Sequence, residues 1–537
     1  MNTLHAHVRG SGPTLFQRNL ARGILIATVL TGPATAAPTF ELVTSAWDTG
    51  QAVGGGGGLA ISANGRYVAF ESSSPRIVRG DSNGGGDVFV RDRQTGTTTL
   101  VSVSSSGVQG NNGGATSPGS ITADGRYVTF VAESNNLVPG DTNDTLDIFL
   151  RDTVAGTTER VNVSSAGVQG DGWGLGSFLS DDGRYVVFNS IASNLIAGQV
   201  RHNWSVYLRD RLNRTTTLIG LPDPDAECWA GAFSGNGRYV AMSCNGLQRM
   251  YVRDLATGDL EALPIPSGET FTVYPNGLSD DGRYLVFTTD MQMLRADTHN
   301  GVNAWDVYLF DRAHFGVGAF ELISVTPKGV AGNARSENAT VSGDGRYVAF
   351  TSAANDLVAH DSGTSYDAFV RDRATKTTVR VSTTSSGGCC ILIYSGLSRD
   401  GSAVYFVSKY PFTANDTNTT WDTFVATNFF AGADAAFTVR PRTLAFGPMS
   451  VGATSDPQTV TVTNTGNADL SIAWVGLAGD GRSQFARVRN CPGILPAGQQ
   501  CTASVTFTPT VTGNHEARLV VSAGDARKSA AVRGVGE

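Results

Sequence analysis

Residues 123–130 read ADGRYVTF, and near copies of this octapeptide recur along the chain. The other copies are ANGRYVAF, DDGRYVVF, GNGRYVAM, DDGRYLVF, GDGRYVAF and the degenerate RDGSAVYF, spaced 45 to 63 residues apart. A fixed motif at such spacing is typical of a protein built from repeated supersecondary units. The Asp-Gly or Asn-Gly before each Arg-Tyr predicts a type I′ hairpin turn with positive φ at both central residues. Each copy therefore predicts a turn followed by a strand.

Two further blocks follow in most units, for example DVFVRDR (87–93) and GTTTLVSVS (96–104). Their β-branched and aromatic residues favour strands, in which Val88 and Val90 point to one face and Phe89 and Arg91 to the other. Each turn also requires a preceding strand, which falls on stretches rich in small residues such as NNGGATSPGSIT (111–122). Four strands in each of seven units predict an all-β fold, a seven-bladed β-propeller, with the small-residue strand beside the central channel.

The two ends of the repeat array complement each other. The seventh unit lacks a fourth strand after DTFVATN (422–428), whereas TFELVTSAWDTGQ (39–51) resembles the fourth-strand segment TTLVSVSSSGVQG (98–110). We therefore expect the N-terminal strand to complete the seventh blade and leave no open sheet edge. The predicted propeller covers residues 38–432.

These blocks resemble the TolB-type propeller repeat, a relative of the WD-type repeat, with the pattern DGRxIAF followed by D(I/V)(Y/F)V(R/M)D. The resemblance covers about residues 39–430. It implies a rigid toroid that serves protein contacts in the bacterial envelope or outside it. It implies no catalytic residues.

A different pattern begins near residue 433. Alternating strands such as QTVTVTN (458–464) and ARLVVSA (517–523), separated by Gly, Asn and Pro, predict an immunoglobulin-like β-sandwich over residues 433–537. The succession LAFGPMSVG, QTVTVTNTGNADLSI and FTPTVTGNHEARLVV resembles the abnormal-spindle/hydin-type domain, in the bacterial version called choice-of-anchor D. That family often precedes a surface anchor, but no sorting motif or apolar tail follows here, so we expect release or non-covalent attachment.

The N-terminal segment predicts export. Arg18 and Arg22 precede the apolar run GILIATVL (23–30), and TGPATAAP follows. This order of basic, apolar and small residues is typical of a signal peptide, here residues 1–37; the alternative is a disordered leader. No later apolar run is long enough to span a membrane. We expect a secreted, periplasmic or cell-envelope protein.

The composition argues against nucleic-acid binding, because the chain of 537 residues has a formal net charge of -7. Its six cysteines suit an oxidising compartment. Cys491 and Cys501 lie ten residues apart, and Cys228 and Cys244 flank a hairpin symmetrically, so each pair predicts a disulfide. Cys389 and Cys390 are adjacent and form either a vicinal disulfide or two free thiols.

The repeat also predicts its own ion pairs. The Arg that begins the second strand and the Asp that ends the third become neighbours in an antiparallel pair. The predicted pairs are Arg66/Asp92, Arg126/Asp152, Arg184/Asp210, Arg238/Asp254, Arg283/Asp311 and Arg346/Asp372. The seventh unit has lost both partners, as Ser402 and Thr427, which indicates that the two residues depend on each other.

Polar loops before the third block offer oxygen ligands at spacings that a hard cation such as Ca²⁺ accepts. The best set is Asp141, Asn143 and Asp147, followed by Asp81, Asn83 and Asp87. The alternative is that these side chains only bond the backbone of a turn. No other cofactor is predicted.

No residue pattern predicts catalysis. Trp173, Trp204, Trp229, Trp305 and Trp421 fall in loops or first strands, where they either bind sugars or a partner or pack in the core. We therefore predict a monomeric binding or scaffolding protein whose partner is an extracellular or envelope protein or a glycan. The alternatives are a carbohydrate-active lyase or hydrolase with a site at the channel mouth, and a purely structural spacer.

Overall fold

The computed structural model describes residues 38–51, 53, 57–111, 114–115, 121–199, 201, 203–244, 249–264, 272–291, 293–294, 305–314, 317–359, 361, 365–383, 391–430, 437–464, 470–495, 499–523 and 526–537. In this part of the chain the regular elements are β-strands, apart from 3-10 helices at Val317–Ala319 and Asp480–Gln484. The predicted signal peptide (1–37), Cys389 and Cys390 lie outside the described residues.

Between residues 39 and 427 the described strands form seven antiparallel four-stranded sheets, here called blades. The first strand of the chain, β1 (Thr39–Leu42), belongs to the last of them. Blade 1 contains β2 (Gly57–Ile61), β3 (Tyr67–Ser72), β4 (Asp87–Asp92) and β5 (Thr97–Leu100). Blade 2 contains β6 (Gly114–Ala115), β7 (Tyr127–Ala132), β8 (Asp147–Asp152) and β9 (Thr157–Arg160). Blade 3 contains β10 (Gly174–Leu179), β11 (Tyr185–Ser190), β12 (Ser205–Asp210) and β13 (Thr215–Leu218).

The remaining blades follow the same order. Blade 4 contains β14 (Cys228–Phe233), β15 (Tyr239–Cys244), β16 (Arg249–Asp254) and β17 (Leu260–Ala262). Blade 5 contains β18 (Val273–Leu278), β19 (Tyr284–Thr289), β20 (Asp306–Asp311) and β21 (Phe320–Leu322). Blade 6 contains β22 (Ser336–Val341), β23 (Tyr347–Ser352), β24 (Asp367–Asp372) and β25 (Thr377–Arg380). The last sheet, the seam blade, contains β26 (Ile391–Leu397), β27 (Ala403–Ser408) and β28 (Asp422–Thr427), with β1 as its fourth strand.

The pairing of β1 with β28 joins the two ends of the repeat array, as the sequence predicted. Leu42 lies opposite Phe424 and Thr39 opposite Thr427. The seam blade then packs on blade 1 through buried side chains of both sheets, including Tyr405 and Phe70. The ring of sheets is thereby closed, which is the arrangement of a β-propeller.

The Asp-Gly segments form a different turn from the predicted type I′. Of the described residues in these turns, only the glycine has positive φ, for example 72° at Gly125. The Asp124 side chain accepts hydrogen bonds from the Thr122 hydroxyl (2.7 Å) and the Arg126 backbone amide (3.0 Å). These bonds stabilise a turn in which the Asp has an ordinary negative φ. Only the glycine adopts the left-handed conformation. The ring of Tyr67 from blade 1 fills the space where a Cβ of Gly125 would stand.

The innermost strands surround a central cavity of about 320 Å³. Ile61, Phe178, Phe233, Thr340 and Ser395, from five different blades, are among its lining residues. Six innermost strands have a register shift against their neighbour. Such bulges bend a strand at a crowded position, so the small-residue strands lie at the channel as predicted.

Residues 437–537 form two further sheets. One contains β29 (Phe437–Arg440), β31 (Gln458–Asn464), β33 (Phe485–Arg489) and β35 (Gln500–Phe507). The other contains β30 (Thr443–Met449), β32 (Leu470–Ala478), β34 (Ile494–Leu495), β36 (Gly513–Ala523) and β37 (Ala526–Gly536). Val460, Phe507 and Leu519 are buried in a single core between them. This two-sheet packing is the predicted β-sandwich.

Candidate functional site

The strand order gives each blade two ends with different connections. Loops from the second to the third strand, and from the fourth strand to the next blade, leave at one end, here called the loop face. The Asp-Gly turns and the short hairpins between third and fourth strands leave at the other end, the turn face. Because variable loops on a rigid scaffold commonly carry binding residues, the loop face is the candidate interaction surface.

Exposed aromatic side chains of the propeller gather on the loop face. In the described part of the propeller the most exposed are Trp47 (54%), Trp173 (50%), Tyr410 (43%) and Tyr274 (42%). Each lies in a loop of that face or within the first two residues of an innermost strand that starts there. The strongly exposed apolar residues of the turn-face hairpins, Val154 and Leu212, are aliphatic. The loop face thus has the amphipathic rings that binding surfaces favour.

The five tryptophans singled out in the sequence divide between exposure and packing. Trp173 is exposed, whereas Trp421 packs against the core shared by blade 1 and the seam blade. Trp204 stacks on Trp229 with ring centroids 4.4 Å apart. Trp305 lies between Tyr274 (5.5 Å) and the Arg335 guanidinium (4.8 Å). Core packing, one of the two alternatives, is therefore found at Trp421, whereas Trp173 has the exposure that the binding alternative requires.

At the turn-face mouth of the channel, three charged residues from different blades meet. Arg399 of the seam blade donates to the Asp280 carboxylate (2.5 Å) and to the Phe233 backbone carbonyl (3.1 Å). Its Nε lies 3.7 Å from Asp181 Oδ1. Burial raises the pKa of Asp181, and the charge of Arg399 opposes this. The cluster ties blades 3, 5 and the seam blade together across the axis.

Sequence reasoning missed this cluster, although a signal for it exists. The residue before each Asp-Gly or Asn-Gly is small in four units but charged at Asp181, Asp280 and Arg399. Gly235 occupies the same position in blade 4, and a Cβ there would meet the side chains of all three charged residues. The glycine of blade 4 therefore leaves the space that the charged side chains of blades 3 and 5 and the seam blade occupy.

The six predicted Arg and Asp partners lie together in the described blades. Their Arg Nη2 to Asp Oδ2 distances are 2.6 to 2.8 Å, from Arg66–Asp92, Arg126–Asp152, Arg184–Asp210, Arg238–Asp254, Arg283–Asp311 and Arg346–Asp372. The Asp is largely buried and the Arg is partly exposed. The hydrogen bond from Arg126 lowers the pKa of Asp152 to about 2. The guanidinium also covers the neighbouring Tyr ring, at 4.8 Å for Arg126 over Tyr127.

A second arginine, one residue after this Asp, links adjacent blades and was not predicted. Its side chain binds a Glu on the fourth strand of the preceding blade and a glycine carbonyl of its own blade's turn. The ion pairs are Arg93–Glu41 (2.8 Å), Arg211–Glu159 (2.5 Å), Arg312–Glu261 (2.7 Å) and Arg373–Glu321 (2.8 Å). The sequence signal is that the residue after this Asp is Arg in blades 1, 3, 5 and 6 but Thr153 and Leu255 in blades 2 and 4. Arg93–Glu41 joins blade 1 to the N-terminal strand.

The first calcium candidate already holds a positive charge. Arg160 Nη1 lies 3.5 Å from Asp141 Oδ1 and 3.1 Å from Asp147 Oδ2. Asn143 donates to the Gly170 backbone carbonyl (2.8 Å), so its amide nitrogen serves the loop. The second set differs. Ser102 donates to Asp87 Oδ1 (2.5 Å), and Asn83 donates to the Gly110 carbonyl (3.0 Å).

Both predicted disulfides are present. Cys228 and Cys244 face each other across β14 and β15, with Cα atoms 4.1 Å apart. Cys491 and Cys501 are joined in the β-sandwich, with Cα atoms 4.9 Å apart. The first bond links the inner strands of blade 4, and the second lies at the edge of the sandwich core.

Comparison with known proteins assigns the C-terminal sandwich. Residues 435–534 match the HYDIN/CFA65/VesB-like, Ig-like domain. No curated protein matches the chain.

Solved structures similar to this chain include several propellers. TolB from Acinetobacter baumannii is 15% identical, with a TM-score of 0.34, over 73% of this chain and 96% of that one. The Cps50 (Swd1) propeller domain of Myceliophteria thermophila is 11% identical, with a TM-score of 0.41, over 72% and 99%. A prolyl endopeptidase is 10% identical, with a TM-score of 0.46; the match covers 76% of this chain and only 54% of that enzyme.

Two features are absent from the part of the chain that the structure describes. No helix there has the length and apolar character needed to cross a membrane. Within the same residues, no three His, Cys, Asp or Glu side chains converge as ligands for a metal ion. The HYDIN/CFA65/VesB-like module adds one further exposed aromatic side chain, Trp474 of β32.

Proposed function

We propose that this chain is an exported binding or scaffolding protein that holds a partner macromolecule on the loop face of its propeller. The observation that carries the proposal is the gathering of exposed aromatic side chains on that face. Aromatic residues are enriched at protein interfaces, because each ring buries a large apolar area on contact. The partner class that fits best is another extracellular or envelope protein, and a glycan is the second, since sugars also stack on aromatic rings.

The interior of the propeller supports a scaffolding role. Arg399 and the two carboxylates beside it link three blades by ion pairs at one mouth of the channel. A guanidinium held between two carboxylates stabilises the ring but provides neither a nucleophile nor a matched acid and base. The loop face is therefore presented by a rigid ring.

The binding proposal is tested with paired variants on the two faces. Biotin-labelled full-length protein is incubated with culture medium and envelope extract of the source cells, and captured proteins are identified. A glycan array is probed with the same sample. Trp47→Ala and Trp173→Ala are expected to reduce capture at least tenfold. The control Leu212→Ala removes a still more exposed apolar residue (73%) from the turn face and is expected to retain capture.

The outcomes separate the functional classes. A protein captured through the loop face supports the proposal, as does a glycan bound without turnover. Capture that survives both Trp variants, or that is lost only in the Leu212→Ala control, contradicts the choice of face. Turnover of a bound glycan would identify an enzyme instead.

Export is tested separately. N-terminal sequencing of protein from the medium or envelope fraction is expected to begin at Pro38, after removal of residues 1–37. An intact N-terminus in the cytosolic fraction would contradict export. Disulfides in both parts of the chain support an oxidising compartment.

A further inference from the structure

A pair of aspartates six residues apart recurs in the loop before the third strand of four blades. The second Asp begins that strand and is buried. The pairs are Asp81/Asp87 in blade 1, Asp141/Asp147 in blade 2, Asp361/Asp367 in blade 6 and Asp416/Asp422 in the seam blade. Where both carboxylates are buried, as in blades 2 and 6, they require compensation, because burial and mutual repulsion both disfavour the charged form.

In blades 2 and 6 an arginine of the fourth strand provides that compensation. Arg160 Nη1 contacts both Asp141 (3.5 Å) and Asp147 (3.1 Å). Arg380 Nη1 contacts both Asp361 (2.8 Å) and Asp367 (3.5 Å). Both arginine side chains are buried. The fold therefore places each Asp pair around a position that accepts one cationic group.

Blade 1 and the seam blade have the acids but not the arginine. Arg160 lies opposite Phe149 in the strand register, and the equivalent residues are Leu100 opposite Phe89 and Leu42 opposite Phe424. A depression of about 800 Å³ borders Leu100, and one of about 380 Å³ borders Leu42. Arg79 lines the first depression and Arg91 the second, and none of the four carboxylates lines either. The leucines leave both acid pairs without the guanidinium that blades 2 and 6 provide at this position.

Asp416 and Asp87, from the two pairs without an arginine, are deeply buried, whereas Asp81 is half-buried. Asp416 is 5% exposed, and neither of its carboxylate oxygens has a hydrogen-bond partner at normal geometry among the described residues. Burial raises the pKa of Asp416 to about 6, the charge of Asp422 adds to this, and the Asn418 backbone amide opposes it. In blade 1, Oδ2 of the buried Asp87 also lacks a hydrogen-bond partner within the described residues. An unpaired buried carboxylate is costly, so a counter-charge is expected.

Blade 3 shows that the loop does not need the acids in order to fold. It has Leu218 at the arginine position, and Gln199 and Ser205 at the two Asp positions. Arg201 of the loop donates to the Ser205 hydroxyl instead (2.9 Å). The loop of blade 3 therefore folds without either acid. Blade 5, with Leu322 at the arginine position, keeps the buried Asp306, which accepts a hydrogen bond from the Ser324 hydroxyl (2.6 Å).

We infer that Asp416 with Asp422, and Asp81 with Asp87, each bind one Ca²⁺ in the position that an arginine takes in blades 2 and 6. Calcium suits these loops because it accepts carboxylate, amide, hydroxyl and water oxygens in irregular arrangements. Hydroxyl oxygens lie at the seam pair: Thr44 donates to Asp422 Oδ1 (2.6 Å), and Thr420 to Asp422 Oδ2 (3.5 Å). Two carboxylates per ion leave the remaining coordination positions to neutral oxygens and water.

The stoichiometry of calcium binding tests the inference. Full-length protein is freed of metal by chelator and dialysis and titrated with CaCl₂ in a calorimeter. We expect two sites, with Kd in the range of about 10⁻⁴ to 10⁻³ M that extracellular modules show. Asp416→Asn is expected to remove one site and Asp87→Asn the other. The matched control Asp141→Asn alters a pair that already contains Arg160 and is expected to retain both sites.

An exchange of charge provides the second test. Leu42→Arg places a guanidinium beside the seam pair and is expected to abolish that site while blade 1 still binds. If this variant does not fold, the thermal midpoint of Asp416→Asn with and without 10 mM Ca²⁺ decides, because its calcium-dependent rise should be roughly half that of the unmodified chain. Absence of calcium heat in the unmodified chain, equal binding of Mg²⁺, or binding unchanged in the Asp416→Asn/Asp87→Asn double variant would each overturn the inference.

Discussion

Blades 1 to 6 and the seam blade contain the same four-stranded sheet, but they hold the fourth strand in different ways. In the first six, the Asp at the end of the third strand both pairs with Arg and accepts backbone amides of the following hairpin. Asp152, for example, accepts Val154 N (3.0 Å) and Ala155 N (2.9 Å) as well as the guanidinium of Arg126. In the seam blade no hairpin follows, because β1 supplies the fourth strand.

This difference explains why the seam blade lacks both members of the pair. Thr427 ends β28 at the position that Asp occupies in the other blades. Because no hairpin follows β28, an Asp there would have no hairpin amides to accept and could pair only with an Arg. The Arg93–Glu41 ion pair holds the N-terminal strand against blade 1 instead. The Arg–Asp ion pair thus stabilises the hairpin between the third and fourth strands, and a blade without that hairpin does not require it.

Deletion of residues 38–45 should have the largest effect on this comparison. It removes β1 together with the buried side chains of Leu42 and Val43, and it exposes the edge of β28. Loss of two core side chains alone costs about 4 kcal/mol or more, and an unpaired edge promotes aggregation. Thermal unfolding and size-exclusion chromatography should show a large loss of stability with aggregation. The control Glu41→Gln, which removes only the ion pair, should cost about 1 kcal/mol or less. In a large domain, a loss of 1 kcal/mol lowers the thermal midpoint by roughly 2 °C or more. A truncated chain whose midpoint lies within about 2 °C of that of the full chain would therefore contradict the role of the seam.

Acid should destabilise blades 1 to 6 together. Arg partners lower the pKa of Asp152, Asp210 and Asp254 to about 2 in the folded chain. A carboxyl with a lowered folded pKa stabilises the protein above its unfolded pKa, near 4, and loses that contribution as the pH falls through the folded value. The thermal midpoint should therefore fall steadily between about pH 4 and pH 2. In Asp152→Asn/Asp210→Asn the decline should be shallower, and an equal decline would contradict the assignment.

Asp152→Asn should have an intermediate effect. Asn retains an oxygen for the backbone amides of the hairpin but loses the charge that pairs with Arg126, which should cost about 1 to 3 kcal/mol. The matched control is Thr427→Asn, at the same register position in the seam blade, where a change within about 0.5 kcal/mol is expected. Urea unfolding of both variants measures the difference. Equal costs at the two positions would show that the Arg–Asp pair contributes nothing specific to complete blades.

The sequence predicted the strands, the seam and the disulfides because each follows from local patterns. Alternation identified the strands, and the likeness of residues 39–51 to residues 98–110 identified β1 as the missing strand. The turn type was wrong because the Asp side chain can bond its own turn, which a rule for two-residue hairpins does not consider. Local patterns therefore predict elements better than they predict the side-chain bonds within turns.

Contacts that depend on strand register or on closure of the ring were harder to predict. Arg399 meets Asp280 across the channel, 119 residues away, and no periodic pattern relates the two. Arg160 likewise fills a carboxylate pair that the sequence presented as a calcium site, because the strand register that brings it there was not considered. Comparison of the same register position among blades, rather than along the chain, separates Arg160 from Leu100 and Leu42.

The smallest expected effect is the restoration of the ion pair in the seam blade. Ser402→Arg and Thr427→Asp place both partners at the register that joins Ala403 to Thr427, equivalent to Tyr127 and Asp152 in blade 2. A double-mutant cycle should give a coupling of about 0.5 kcal/mol, below that of complete blades. Two stabilising contacts are missing there, since Ala403 offers no ring to the guanidinium and no hairpin amides reach the Asp. A coupling as large as that measured for Arg126 and Asp152 would show that the pair acts without the hairpin, and the loss of both residues from the seam blade would then need a different explanation.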